Sequence, residues 1–549
     1  MELVPFRHWI VARRDDDRPA LRFEDQTLSY RAFVAGCAQR AAYLLANRGD
    51  GPLHVGVLLD NVPDFPMWIG AAALAKGVIV GINPTRRGAE LARDIRHTDC
   101  GWIVTEAAHR DLLAGLDTDV PADRILDVDT PAFAETLAPY AGADIPDVEV
   151  EMSDLLLLLF TSGTSGAPKA VICSQGKLSL VAQNLAGRLA LDENTVSYQS
   201  MPMFHSNGLF TGTAPTIVVG GTAVLRRKFS ASGTIPDIKK YGCTYFNYVG
   251  KPLSYILAQP ERPDDADNPL RVVFGNEAAD LDIERFAKRF ATEVVDGYGS
   301  TETGVAVQRT PDMPKGSLGR GDDATRVLDA ETGNECPPAR FDDSGRLLNA
   351  EEAIGELVNT GGRALFEGYY NNDEANAQRM RDGMYWTGDL AYRDADGFIY
   401  FAGRDFEWLR VDGENFSAAP VERILARYPG VVLSAVYAVP DEEVGDQVMA
   451  ALEVTDPDGF DPAAFDAFLA EQADLGTKWT PRYVRLSTAL PVTQTSKVQK
   501  RQLRAERWEC DETVWYRPER GAALRRLEAA DIAALRERFV ARGRESQLI

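Results

Sequence analysis

Two glycines, four hydroxyl side chains and one lysine crowd the ten residues Phe160-Thr161-Ser162-Gly163-Thr164-Ser165-Gly166-Ala167-Pro168-Lys169. Such a mixture suits a polyphosphate: glycines let backbone N–H groups approach, hydroxyls donate, and a lysine neutralises charge. The spacing is not that of a Walker loop, which places Lys and Ser or Thr directly after its last glycine. Here two residues separate Gly163 from Gly166, and Lys169 follows three later with Ala170 behind it. The same composition also describes a surface turn, so the weight falls on what accompanies it.

Other residues capable of chemistry follow at wide spacing: Met203-Phe204-His205, Gly275-Asn276-Glu277, Asp296-Gly297-Tyr298-Gly299-Ser300-Thr301-Glu302, Thr387-Gly388-Asp389, Gly403-Arg404, Gly413-Glu414-Asn415 and Thr493-Gln494-Thr495-Ser496-Lys497. Taken singly, Asp389 reads as a turn residue, Tyr298 as a core aromatic, His205 as a satisfied histidine and Lys497 as a solvated lysine in a basic run. In this order and at these distances they resemble the AMP-forming adenylate superfamily, which includes acyl-CoA synthetases, nonribosomal-peptide adenylation domains and luciferases. The resemblance spans roughly Leu28 to Leu503, and seven motifs in register make it specific.

That resemblance implies an ATP-dependent reaction. A carboxylate attacks the α-phosphate to give acyl-AMP and pyrophosphate, and a thiol, coenzyme A, then displaces AMP. Crowded phosphates demand charge neutralisation, positioning of two anions and a Mg²⁺ ion. By resemblance, Thr161, Ser162, Gly163, Thr164, Gly166 and Lys169 wrap the β- and γ-phosphates. Glu302 holds Mg²⁺, as a hard cation prefers carboxylate oxygen, and Thr301 touches the α-phosphate. Tyr298 offers its face to adenine, with Gly275, Asn276 and Glu277 on the other side. Asp389 accepts from the ribose hydroxyls, Arg404 supports ribose and phosphate, and His205 lies beside the acyl carboxylate. Lys497 stabilises the adenylation transition state in one domain arrangement; in the other, Gly413 leaves room for the pantetheine arm.

Two positions depart from the family pattern. The family's hinge position, commonly Asp or Lys two residues beyond Gly-Arg, holds Phe406 between Asp405 and Glu407, which leaves open which of the three swivels, and the glycine before the catalytic lysine is Ser496. The latter, with Tyr248-Val249-Gly250-Lys251-Pro252-Leu253-Ser254-Tyr255 and Val514-Trp515-Tyr516, resembles the fatty-acid-transport-protein branch of very-long-chain and steroid side-chain ligases. An acyl pocket lined by Phe210, Phe246, Tyr248 and Val249 is expected, with core packing the alternative for each. Both a flexible chain and a fused-ring acid ask only for apolar walls. Two other functions stay open: an acyl-AMP ligase loading a carrier protein, and a lipid-uptake or binding protein.

These side chains need a scaffold. Apolar runs alternate with helical patterns over the first 300 residues, as in the helix Pro63 to Lys76 followed by the strand Val78 to Val80. This predicts an α/β fold: a large N-terminal domain, residues 1–403, with parallel sheets and a small β subdomain between about Thr310 and Gly403. A small mobile α+β C-terminal domain, residues 404–549, follows, with helices over Pro420 to Tyr428 and Pro462 to Glu471 and strands near Val432 to Val439 and Val448 to Val454. A final helix, Ala529 to Ala541, carries Ile532, Leu535 and Phe539 on one face, for docking onto the small domain or for lying on lipid.

At 549 residues the chain exceeds one core, and its net charge of −23 argues against a nucleic-acid surface. Six scattered cysteines without a close pair indicate a reducing, cytoplasmic setting rather than a zinc site. No apolar run reaches the length of a membrane span, which limits membrane contact to a peripheral one.

Overall fold

A computed structural model describes the chain except residues 1, 162–167, 311, 315, 343–346, 405–407, 412–413, 443–445, 473, 477, 494–497, 520, 543 and 549; the side chains of 404, 408, 410, 414, 415, 417 and 546 are also left out. Two sheets form the large part. The first runs Glu293–Asp296, Val272–Asn276, Tyr245–Val249, Val196–Gln199, Thr222–Leu225, Pro19–Phe23 and Gln26–Ser29, parallel except for the last pair. The second runs Ile125–Asp127, Trp102–Thr105, His54–Leu58, Val78–Gly81, Leu155–Thr161 and Lys169–Ser174, again parallel up to an antiparallel last pair.

The strands are parallel because they are apolar on both faces: every residue of His54–Leu58 and Val78–Gly81 is buried, as expected where helices cover each side. Helix Asp64–Ala75 is buried from Phe65 to Ala75 and ends where Lys76 takes a left-handed φ of 54°. It lies so close to helix Tyr30–Ala46 that a Cβ on Gly70 would collide with the Cys37 thiol.

An antiparallel subdomain follows, in the order Val307–Gln308, Gly319–Gly321, Phe398–Arg404, Met384–Arg393, Gly355–Asn359 and Thr325–Leu328. The last part is α+β, its sheet running Val431–Pro440, Asp446–Val454, Tyr483–Ser487, Thr513–Tyr516 and Arg525–Arg526. Helix Ala529–Ala541 is capped by a reciprocal Glu528/Asp531 box, and it buries Leu535 and Phe539 among Tyr483, Trp508 and Leu433. Its apolar face is therefore spent on the domain and not on lipid. Among the described residues no helix is long and apolar enough to cross a membrane.

Candidate active site

In open parallel sheets, ligands gather outside the carboxyl ends of the strands, where the loops meet without strands in the way. In the first sheet Tyr248 pairs with Gly275 and Gly275 with Asp296, so three of the sequence motifs end side by side. The turns are then tied together: Gly250 N donates to Asn276 O at 2.9 Å, Gly297 N to Gly275 O at 2.9 Å, and Asn276 Nδ2 to Gly297 O at 2.6 Å. Gly275 must be glycine, since a Cβ there would stand 2.6 Å from the Tyr248 ring. Glu277 turns the chain in a left-handed conformation, φ 69°. Beneath them Asp296, 4% exposed, accepts from the Tyr248 hydroxyl at 2.6 Å and from Ala278 N at 3.1 Å. Burial pushes its carboxyl up to about 7, against the downward pull of the Tyr248 bond and Arg309.

His205 follows the same sheet's strand Val196–Gln199 by a short loop; its ring packs on Phe204, centroids 4.3 Å apart. Next to it Ser206 and Thr301 share a hydroxyl hydrogen bond of 2.6 Å, which brings the His205 and Thr301 motifs together. The chain then winds as a π-helix, Asn207–Thr213. Asn207 donates to Tyr248 O at 2.9 Å, and Asn247 donates to Asn207 Oδ1 at 3.0 Å.

The four residues expected to form an acyl wall are not brought together. Side chains alternate across a strand, so Phe246 and Tyr248 point to the face covered by Leu253, Ile256 and Phe286, where neither has exposed surface. Asn247, between them, faces the π-helix. Phe210 joins a different cluster, and Val249 is 8% exposed at the strand end.

Charge gathers where the second sheet meets the β subdomain. Thr161 and Lys169 pair across a ladder, pinning both ends of the glycine loop; Ser162, Gly163, Thr164 and Gly166 lie outside the described residues. Lys169 is 5% exposed and its ammonium has no hydrogen bond or ion pair among the described residues. Burial lowers its pKa, assisted by the charge of Arg379 and opposed by that of Glu302. Glu302, 9% exposed, accepts from the Tyr369 hydroxyl through Oε1 at 2.9 Å, while Oε2 has no hydrogen bond among the described residues. A carboxylate oxygen left unpaired among the described residues would suit a hard divalent cation, which takes oxygen ligands. The backbone of Glu302 is fixed by Lys177, itself buried, whose ammonium donates to Glu302 O at 3.1 Å and Ile172 O at 3.4 Å.

The Tyr298 hydroxyl donates to Asp389 Oδ2 at 2.6 Å, so the aromatic of one motif orients the carboxylate of another. Thr387 Oγ1 accepts from Asp389 N at 3.0 Å and donates to Leu357 O at 2.7 Å, fixing the turn. Asp389 also faces Arg404 across the antiparallel pair Met384–Arg393 and Phe398–Arg404, which places both at one edge. Gly413, Lys497, Phe406 and the other hinge candidates, with the Arg404 side chain, are outside the described residues.

The sequence reading missed Tyr369, Arg379 and Lys177. Arg379 donates to the Tyr369 oxygen at 3.2 Å and to Trp386 O at 3.2 Å, and it packs where a Cβ on Gly388 would stand. Gly388 sits at φ 70°, in the left-handed region that favours glycine. The only local signal was a helix start, Asn372 capping Asp373–Arg379.

The chain matches the model of the AMP-binding enzyme family over residues 8–370 and that of the AMP-binding enzyme C-terminal domain over residues 420–497. It is 48% identical over 548 residues to a steroid-22-oyl-CoA synthetase of Rhodococcus jostii, covering 99% of both chains. It is 49% identical over 495 residues to a medium/long-chain-fatty-acid–CoA ligase, FadD17, of Mycobacterium marinum, covering 90% of this chain and 94% of that one. Among solved structures, ATP-bound MatB from Rhodopseudomonas palustris superposes with a TM-score of 0.79 at 24% identity, covering 92% of this chain and 99% of the other.

Proposed function

The chain belongs to the AMP-binding enzyme family and is an acyl-CoA ligase, and we propose that it activates a long-chain or sterol side-chain carboxylic acid as acyl-AMP and then transfers the acyl group to coenzyme A. The observation that carries the adenylation reading is the unpaired couple Lys169 and Glu302, a buried cation and a carboxylate oxygen, each without a counter-charge in contact among the described residues.

In this reading Lys169 neutralises the β- and γ-phosphates with Thr161, Ser162, Gly163, Thr164 and Gly166. Mg²⁺, held by Glu302, would supply charge neutralisation across the phosphates. Asp389, held by Tyr298, takes the ribose, with Arg404 at the same edge; Gly275, Asn276, Glu277 and Tyr298 enclose the adenine. Thr301, fixed by Ser206, lies at the α-phosphate, and His205 beside the carboxylate. Lys497 brings its charge to the transition state as residues 404–549 close over 1–403, and Gly413 lines the path of the thiol once they reorient. The enzyme works in the cytoplasm.

The hydrophobic acid class rests on likeness to the two relatives, one named for a steroid acid and one for fatty acids. A pyrophosphate-release screen over saturated fatty acids and sterol side-chain acids, with and without coenzyme A, tests the proposal. Long or polycyclic acids should outperform acetate and benzoate, with a thioester formed only when coenzyme A is present. Best activity on acetate would refute the acid class; acyl-AMP without thioester would refute the second half-reaction. Lys497→Ala should cost on the order of 10²-fold in pyrophosphate release while still converting supplied acyl-AMP to thioester.

A further inference from the structure

We propose that Tyr369 is a positioning residue for adenylation: its phenol holds Glu302 and Lys169, opposite charges meant for one ligand, away from each other until that ligand arrives. The inference rests on reading Glu302 and Lys169 as the metal and phosphate groups.

Opposite charges attract strongly where water is scarce, and both residues are buried, at 9% and 5% exposure. Yet no ion pair joins them; Tyr369 stands between. Its hydroxyl donates to Glu302 Oε1 at 2.9 Å, and the Lys169 ammonium lies 5.3 Å from the centroid of its ring, within reach of a cation–π contact. The direction of the hydroxyl proton is forced. Arg379 Nε, which can only donate, occupies the phenol oxygen at 3.2 Å, so the phenol's own proton goes to the carboxylate.

Tyr369 itself cannot move aside. It is 2% exposed, its N–H donates to Asn376 Oδ1 at 2.6 Å, Asn376 Nδ2 returns a bond to Tyr369 O at 3.1 Å, and its ring packs on Phe366 with centroids 5.3 Å apart. Arg379, in turn, is anchored to Trp386 O and packs against Gly388, beside the ribose carboxylate Asp389. One tyrosine thus connects the glycine loop's lysine, the metal carboxylate and the ribose strand. Without its hydroxyl, Glu302 loses the bond that restrains it and turns toward Lys169, so that an internal salt bridge competes with Mg²⁺ and phosphate.

The test uses the full-length enzyme and Tyr369→Phe, which keeps the ring. Pyrophosphate release is measured against Mg²⁺ at saturating ATP and acid, and against each substrate at saturating Mg²⁺. In parallel, calorimetric titration of ATP into the enzyme without acid, at stepped Mg²⁺, should show a weaker Mg²⁺-dependent affinity in Tyr369→Phe, and an unchanged affinity overturns the proposal. Losing a hydrogen bond to a charged group predicts a rise in the apparent KM for Mg²⁺ on the order of tenfold, with KM for the acid unchanged. A merely structural defect would lower kcat or the active fraction and leave the Mg²⁺ dependence in place. Tyr369→Leu, which removes the ring as well, should also raise KM for ATP. Glu302→Gln separates the two layers of the argument. If it leaves the Mg²⁺ dependence unchanged, the metal reading falls and the inference with it. If it raises the Mg²⁺ requirement and Tyr369→Phe does not, the inference alone is overturned. Should Tyr369→Phe fail to fold, Arg379→Lys, which removes the Nε donor from the phenol oxygen, should raise KM for Mg²⁺ in the same direction by a smaller factor. An unchanged value there overturns the proposal.

Discussion

Asp60, Glu106 and His109, at the carboxyl ends of strands His54–Leu58 and Trp102–Thr105, and Lys169, Glu302 and Tyr369, around the glycine loop, are both buried groups of opposite charge, and they are wired differently. In the first, His109 Nε2 meets Asp60 Oδ1 at 3.0 Å and Glu106 Oε1 at 3.8 Å. Asp60 N donates to Glu106 Oε1 at 2.5 Å, Arg227 bonds Glu106 Oε2 at 2.5 Å, and Lys228 stands 3.9 Å from Asp60 Oδ2. Burial raises the Asp60 carboxyl, but the His109 bond and the charges of His109, Lys228 and Arg227 outweigh it and leave it lowered. By ligand type and spacing, within 4.8 Å of one another, these three residues could pass for a metal centre. Every carboxylate oxygen, however, already has a partner. Arg227 follows strand Thr222–Leu225 of the other sheet, so the cluster fastens two sheets. The second group keeps its charges apart with a tyrosine and, among the described residues, leaves one carboxylate oxygen and one ammonium unpaired. Ligand sites are recognised by charges left unpaired, and ligand-like residue types alone do not make one.

The contrast breaks most visibly at Glu302. Glu302→Gln should reduce pyrophosphate release on the order of 10²-fold or more with little change in the thermal unfolding midpoint. A variant of near-normal activity would place Glu302 with the fastening clusters.

Asp296 shows a third solution, a buried carboxyl held by Tyr248 and raised to about 7. Its folded pKa exceeds the unfolded value near 3.9. The folded state therefore binds the extra proton, and the stabilisation is full below about pH 4 and lost as pH rises through about 7. Asp296→Asn should flatten this dependence, by roughly 2–4 kcal/mol between those limits. Urea unfolding at pH 5 and pH 8 reads it; an unaltered difference between the two pH values would show that Asp296 is ionised throughout.

The smallest effect concerns the fastening cluster. Arg227→Met leaves Glu106, 1% exposed, without its cation, and should cost about 1–3 kcal/mol of stability while KM for ATP and kcat stay at the wild-type values. A drop in kcat without loss of stability would reverse the roles assigned to the two clusters.

The sequence alone determined what local pattern controls. Runs of β-branched and leucine residues, broken by helical periodicity, set the α/β alternation; the helix expected over Pro63 to Lys76 is Asp64–Ala75, and that over Ala529 to Ala541 has those bounds. The motifs carried the family, because each is a short turn whose glycines and carboxylates must be adjacent in the chain. Pairing over long separations was decided only in three dimensions. Glu302 and Tyr369 are 67 residues apart and Arg379 ten further on, and no periodicity encodes their meeting. Helix Ala529–Ala541 read as a docking face ahead of a lipid one, but amphipathicity names no partner; the Tyr483 and Trp508 rings supplied it. The choice between acyl wall and core packing was open for the same reason. Phe246 and Tyr248 are apolar enough for a tunnel, but strand alternation turned them into the helix-covered core and put Asn247 opposite, and which face of a strand meets a ligand is fixed by the layers stacked upon it.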